Sequence, residues 1–146
     1  MDWHQYFIGH ARHAATKSKD PNQQVGAAIA SNRNVLLATG FNGFPIGVAE
    51  GEHWADDRKA FRLIHAEDNA FITVDRTKLA FSRLYVTKAP CGPCGAKIVQ
   101  HFQLYGGPMW VICPPPDPGG KWLNSQNEAL AMLREVGITV THMEFA

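Results

Sequence analysis

From residue 63 onward the chain repeats one design three times: a stretch with apolar residues at helical spacing, then a short run of strand formers. Helices are expected over residues 63–73, 91–102 and 124–136, and strands over 84–87, 109–112 and 139–143. A helix between successive strands carries the chain across a sheet face and back, so those strands pair in parallel, with right-handed crossovers. In the last unit Leu130, Leu133 and Val136 fall three apart, and Gly137 stands where a left-handed residue ends a helix. Ahead of these units, residues 3–17 place Trp3, Phe7, Ala11 and Ala14 at helical spacing. Two apolar runs, 25–30 and 35–39, flank the turn Ser31-Asn32-Arg33-Asn34 and read as a β-hairpin whose strands are buried on both faces. The expected fold class is α/β: a three-layer α/β/α sandwich with a five-stranded mixed sheet, opened by an antiparallel hairpin and closed by a parallel last strand.

The 146 residues are one domain's worth of chain, so residues 1–146 are expected to form a single domain. An apolar fraction of 45% against 18% charged excludes a disordered chain. Fourteen Lys and Arg against thirteen Asp and Glu leave a net charge of +1, without the basic excess of a protein that works on a phosphate backbone. Nucleic acid is therefore not the expected partner. No basic segment leads into an apolar stretch at the start, and no run approaches the roughly 18 apolar residues of a membrane span. The expectation is a cytoplasmic protein with no membrane partner. Three cysteines are too few, and odd in number, for a disulfide scaffold, which leaves free, metal-bound or catalytic thiols.

Two of those thiols carry a pattern, Pro90-Cys91-Gly92-Pro93-Cys94. Cysteines three apart at a helix start share one side of its first turn, and the positive end of the helix favours their thiolates. Pro93 suits a first turn, where its missing N–H breaks no bond. A single Cys-x-x-Cys also occurs in redox pairs, in half-sites for structural zinc and by chance. Here there is no second pair, so any further ligand must be a histidine or a carboxylate. His65 stands at the expected start of the helix one unit earlier, and crossover topology brings helix starts to one edge of the sheet. His65, Cys91 and Cys94 with a fourth position left to water make the catalytic pattern for zinc, not the closed structural one. Glu67, two residues from His65, is placed to exchange protons without being a ligand. The plain alternatives are a core histidine and a glutamate drawn to a helix start by the dipole.

His65-Ala66-Glu67 followed by Pro90-Cys91-Gly92-Pro93-Cys94 resembles the His-x-Glu…Pro-Cys-x-x-Cys signature of the zinc-dependent nucleobase deaminases. More closely, Gly40-Phe41-Asn42-Gly43-Phe44-Pro45-Ile46-Gly47 resembles the Gly-aromatic-Asn-Gly-x-Pro-x-Gly segment of the deoxycytidylate (dCMP) deaminase family. His65-Ala66-Glu67-Asp68-Asn69-Ala70 looks like that family's His-Ala-Glu-x-Asn-Ala, and Leu84-Tyr85-Val86-Thr87 before Pro90-Cys91 fits as well. The likeness runs over roughly residues 25–140. It implies a cytidine-deaminase-like sandwich and hydrolysis of a cytosine nucleotide, dCMP to dUMP and ammonia. In that reaction Glu67 carries a proton to ring N3 and then to the departing amine. Several members of the family add Cys and His after the Asn-Gly segment to form a second zinc site. Residues 48–61 here hold His53 and no cysteine, so one catalytic Zn2+ is implied and no second structural one.

The same resemblance assigns the pyrimidine carbonyl to the backbone N–H of Ala66 and a sugar hydroxyl to Asn42. It calls for an aromatic over the base, with Phe44 and Trp122 as candidates, and for phosphate donors among Arg58, Lys59, Arg62 and Lys121. It implies a homo-oligomer, a hexamer ahead of a dimer, and raises regulation by dCTP and dTTP as a question. Three readings stay beside it: a tRNA adenosine deaminase, a deaminase of a modified cytosine nucleotide or free base, and a non-catalytic module held together by zinc. Thr87-Lys88-Ala89 in place of Thr-Leu-Glu before the first cysteine, together with the near-zero charge, weighs against the tRNA enzyme.

Overall fold

The computed structural model describes residues 1–144. In chain order its elements are α1 (Trp3–Ala15), β1 (Gly26–Ala30), β2 (Leu36–Phe41), the one-turn α2 (Lys59–Arg62), α3 (Ala66–Thr73), β3 (Arg83–Val86), α4 (Gly92–Tyr105), β4 (Trp110–Cys113), α5 (Leu123–Glu135) and β5 (Thr139–His142), with 3-10 turns at Gly51–Trp54 and Arg76–Lys78. Local chemistry sets several of the ends. Asp2 Oδ1 accepts from the Gln5 N–H at 2.8 Å while Gln5 Oε1 accepts from the Asp2 N–H at 3.2 Å, a capping box that starts α1. Past α5 the chain turns at Gly137, whose φ of +86° lies in the left-handed region that glycine enters without cost.

The strand order is β2-β1-β3-β4-β5. β1 runs antiparallel to both β2 and β3, whereas β3–β4 and β4–β5 are parallel, as the helix–strand units require. Alternate residues along the inner strands feed two cores. Ala27, Ile29, Leu84, Val86 and Val111 face α3, α4 and α5, which contribute Ala66, Phe71, Ile98, Leu130 and Leu133. Ala28, Ala30, Tyr85 and Ile112 face α1 and its Phe7, Ile8 and Ala11. The result is the expected three-layer sandwich with a five-stranded mixed sheet.

Two local expectations are corrected. β1 is buried along its whole length, but β2 is the edge strand and of its residues only Gly40 is fully buried. With a neighbour on one side only, an apolar run no longer implies burial on both faces. The helix expected over 63–73 is also divided. Leu63 leaves α2 at ψ 123°, Ile64 exchanges backbone hydrogen bonds with Gly43 at 2.8 and 3.0 Å, and His65 is extended at ψ 158° before α3 begins. Pairing with a distant glycine overrides the local helical pattern, and it stitches the Asn42-Gly43 corner beside His65.

Gly40 lets α3 approach the sheet. A Cβ there would come within 2.3 Å of the Ala66 carbonyl oxygen and 2.5 Å of the Ala70 nitrogen, both backbone atoms that cannot rotate away. Gly40→Ala is expected to destabilise the protein by about 1–3 kcal/mol through overpacking. It should also lower activity, because the helix it displaces carries His65 and Glu67. Thermal melts and an activity assay on the one variant check both effects.

Candidate active site

His65 and Cys91 occupy equivalent places: each is the N-cap of its helix, extended at φ −72°, ψ 158° and φ −76°, ψ 170°, and neither side chain caps its own helix. Both side chains turn instead toward each other. His65 Nδ1 lies 3.0 Å from Cys94 Sγ and 3.5 Å from Cys91 Sγ, and the ligand atoms of all three residues lie within 4.8 Å of one another. Cys94 is buried in the first turn of α4, just after Pro93. α5 braces this turn: Ser125 Oγ accepts from the Gly92 N–H at 2.8 Å, and Gln126 Nε2 donates to the Ala89 carbonyl at 3.1 Å. An ion pair between Lys97 and Asp68 at 2.8 Å joins α4 to α3 at the surface.

The electrostatics of the group are those of a cation site. A hydrogen bond from Cys94 draws the Cys91 thiol down to about 4, against the pull of burial and with help from His65. Cys94, which gives that hydrogen, is pushed up. His65 is raised, first by its bond to Cys91. One imidazole and two sulfurs already gathered around a thiolate form a donor set that suits zinc, and three protein ligands leave its fourth position open. The residues therefore fit a single catalytic zinc, and they are the one such group among the described residues. His53 is engaged elsewhere, with Asp56 at 2.7 Å.

Glu67 follows His65 into the first turn of α3 and is buried. Burial pushes its carboxyl up to about 7, opposed by its own backbone N–H and by His65. A carboxyl poised near neutrality both takes and gives protons at working pH. Cys113, buried on β4, is a neutral thiol pushed up to about 12 by desolvation, with Glu67 adding to the shift.

The other residues singled out in the sequence fall in different surroundings. Ala66 is buried as the first residue of α3, where an N–H has no acceptor within the helix. Asn42 is buried: its Oδ1 accepts from the Val25 N–H at 2.9 Å, and its Nδ2 donates to Asp20 Oδ2 at 3.2 Å and to the Gln23 carbonyl at 2.9 Å. Both amide hydrogens are thus committed within the protein, and one Oδ1 lone pair is left. Phe44 stacks on Trp54 with centroids 4.1 Å apart. Arg58 is exposed, Arg62 reaches the Ala49 carbonyl at 3.2 Å, and Lys121 lies over the half-exposed ring of Trp122.

Lys59 pairs with the buried Asp20 at 2.9 Å, 39 positions away in sequence, a partnership no local pattern announces. Lys88 stands three positions before Cys91. It is partly buried, and its Nζ donates to Gln23 Oε1 at 2.5 Å.

Fold and site together define an open, three-ligand zinc centre set across two helix N-termini of an α/β/α sandwich. Residues 1–104 match the family model of the cytidine and deoxycytidylate deaminase zinc-binding region. The chain belongs to this family of cytidine and deoxycytidylate deaminases. It is 39% identical over 102 residues to a probable deoxycytidylate deaminase of Caenorhabditis elegans, covering 66% of this chain and 52% of that protein. It is 34% identical over 143 residues to an uncharacterized deaminase of Aliivibrio fischeri, covering 95% and 92%. The chain spans about half the length of the animal relatives it matches. In fold it resembles the dCMP deaminase of cyanophage S-TIM5 solved in complex with dCMP and dUMP, with a TM-score of 0.73, 23% identity and 95% of each chain covered.

Proposed function

We propose that the protein is a hydrolytic deaminase of a cytosine nucleotide, converting dCMP and water to dUMP and ammonia, and that residues 1–146 work as one domain. The observation that carries this reading is the convergence of His65, Cys91 and Cys94 beside the buried carboxyl of Glu67. The dCMP deaminase names borne by its relatives support the choice of substrate. His65, Cys91 and Cys94 hold the zinc. When bound, zinc would supply a hydroxide nucleophile from water at neutral pH.

The chain's own residues do the rest. As the C4–O bond forms, Glu67 takes the proton lost by the attacking water and delivers it to ring N3. It then takes the remaining proton from the new C4 hydroxyl and gives it to the amine, so that the C4–N bond breaks as C4=O forms and ammonia leaves. The Ala66 N–H holds the pyrimidine carbonyl. Asn42 accepts a hydrogen bond from a sugar hydroxyl through the remaining lone pair of Oδ1. Phe44 or Trp122 covers the base, and Arg58, Arg62 and Lys121 stand as outer donors to the anionic substrate. Exposed Ile46, Phe61 and Trp122 support a homo-oligomer, and the family resemblance puts a hexamer ahead of a dimer. Regulation by dCTP and dTTP belongs to the same reading, as does a cytoplasmic location alongside the nucleotide pool.

Ammonia release from dCMP, dCTP, deoxycytidine and 5-methyl-dCMP at equal concentration tests the reading. Turnover confined to the monophosphates is expected. Turnover of RNA adenosine or of free bases, with none of dCMP, would replace this substrate with another.

A further inference from the structure

Asp20 is a buried carboxylate in the loop after α1, and hydrogen-bond donors face both of its oxygens. Its Oδ1 accepts from the Asn22 N–H at 2.9 Å, the Gln23 N–H at 3.3 Å and Lys59 Nζ at 2.9 Å, while its Oδ2 accepts from Asn42 Nδ2 at 3.2 Å. Only an ionised carboxylate offers acceptors on both sides at once. We propose that Asp20 is the positioning residue of the sugar contact: its carboxylate fixes the amide of Asn42 in the orientation that presents Oδ1 to the substrate's 3′-hydroxyl, the one free sugar hydroxyl of a 2′-deoxynucleotide 5′-phosphate. The proposal rests on the nucleotide-deaminase reading, which supplies the Asn42 contact but nothing that holds it.

Orientation is the first argument. Asn42 Oδ1 accepts from the Val25 N–H at 2.9 Å, and Nδ2 is faced by two acceptors, Asp20 Oδ2 and the Gln23 carbonyl. With the amide reversed, its NH2 would meet the Val25 N–H and its oxygen would meet a carboxylate and a carbonyl, so both sides would be mismatched. Burial and the charge on Asp20 make that error costly. The main chain is held as well: Ser18 Oγ donates to the Asn42 carbonyl at 2.8 Å, and the Asn42 N–H donates to the Val25 carbonyl at 3.2 Å. Gly43 then pairs with Ile64, the residue before His65, so the corner that carries Asn42 is anchored beside the metal ligands.

Charge is the second. Burial pushes the Asp20 carboxyl up, but the hydrogen bonds from the Asn22 N–H, Lys59 and the Gln23 N–H outweigh it and hold the group below the usual carboxylate range. Lys59 reaches in from α2 with its ammonium 5.7 Å from the centroid of the Trp54 ring, and that ring stacks on Phe44 at 4.1 Å. Phe44 lies two residues past Asn42, so the corner that Asp20 orients also packs over the partner of its cation. A buried polar network with its members bonded in this way holds a single geometry.

Equilibrium binding of dUMP and of 2′,3′-dideoxyuridine 5′-monophosphate to the zinc-loaded protein, by calorimetry, reads the hydroxyl contact apart from turnover. The wild type is expected to favour dUMP by roughly 3- to 10-fold, the range for one hydrogen bond. In Asp20→Asn the new amide satisfies one side only: with its oxygen toward Lys59 and the two N–H groups, its NH2 faces that of Asn42. The preference for dUMP should then vanish, with the dideoxy compound bound as tightly as before. In kinetics the loss should fall on KM for dCMP and spare kcat. In an Asn42→Ala background Asp20→Asn should change the preference no further, as expected of a residue that acts through Asn42. Should Asp20→Asn fail to fold, Asp20→Ser keeps an oxygen for the Asn22 N–H and has none for Asn42, and the same loss of preference is expected. Equal losses on the two ligands would make Asp20 a support of the fold and overturn the assignment. An intact preference in the variant, or a wild type without one, would overturn it too. A wild type that shows the preference yet does not turn over dCMP would sink the deaminase reading alone.

Discussion

Glu67→Gln is expected to lower ammonia release by at least about 10³-fold while the protein still folds and still takes up one zinc per chain. Glutamine matches glutamate in shape and hydrogen-bonding reach but cannot carry a proton from one atom to another. In the proposed reaction Glu67 is used twice per turnover, once toward ring N3 and once toward the leaving amine, so neither transfer would survive the change. The fold has no reason to suffer, because the carboxyl is buried and already pushed up to about 7 by desolvation, and a neutral amide meets the same site without a charge to bury. Three measurements on one preparation decide the matter: ammonia release, zinc content and melting temperature. Activity within tenfold of wild type would remove Glu67 from the chemistry. Loss of zinc along with activity would make it a support of the metal centre instead.

What the sequence disclosed of the site follows from how local each part is. Cys91 and Cys94 lie within one helical turn, and a proline between them marks that turn as a first one, so their convergence is a property of five consecutive residues. His65 joins them through topology, and alternating helices and strands leave little choice about that topology. Contacts set by tertiary placement were not legible. Leu63–His65 is extended because Ile64 pairs with Gly43, twenty-one residues earlier, and nothing near Ile64 signals it. The burial expected of residues 35–39 failed because edge position is decided by which strand finds a second neighbour. Among the basic residues the sequence pointed to Arg58, Lys59 and Arg62 just before His65 and to Lys121 beside Trp122. Lys59 went to Asp20 and Lys88 to Gln23, pairings made by loops that meet only in the folded chain.

Cys94→Ser is expected to cost the protein its zinc, taking the metal content from one ion per chain to below about a tenth, and its activity with it. Cys94 is the buried thiol of the pair and lies 3.0 Å from His65 Nδ1, so its sulfur is central to the donor set. A serine hydroxyl does not ionise at neutral pH and is a hard oxygen where zinc is held by sulfur and nitrogen, leaving His65 and Cys91 as the remaining ligands. Cys113→Ser is the matched control. That thiol is also buried but belongs to the core on β4, so its replacement should cost stability through a buried hydroxyl and leave the zinc in place. The more telling result is what happens to the fold of the Cys94 variant. Both cores are built on the sheet, from Phe7, Ile8 and Ala11 on one face and from Ile98, Leu130 and Leu133 on the other, and neither is assembled around the metal. The zinc-free variant should therefore keep its secondary structure and a cooperative melt. Chelation of the wild type should likewise abolish ammonia release without unfolding the chain, and restored zinc should restore it. A protein that lost its circular dichroism as the metal left would use zinc as a staple for the fold, and the module reading would take the place of the enzyme.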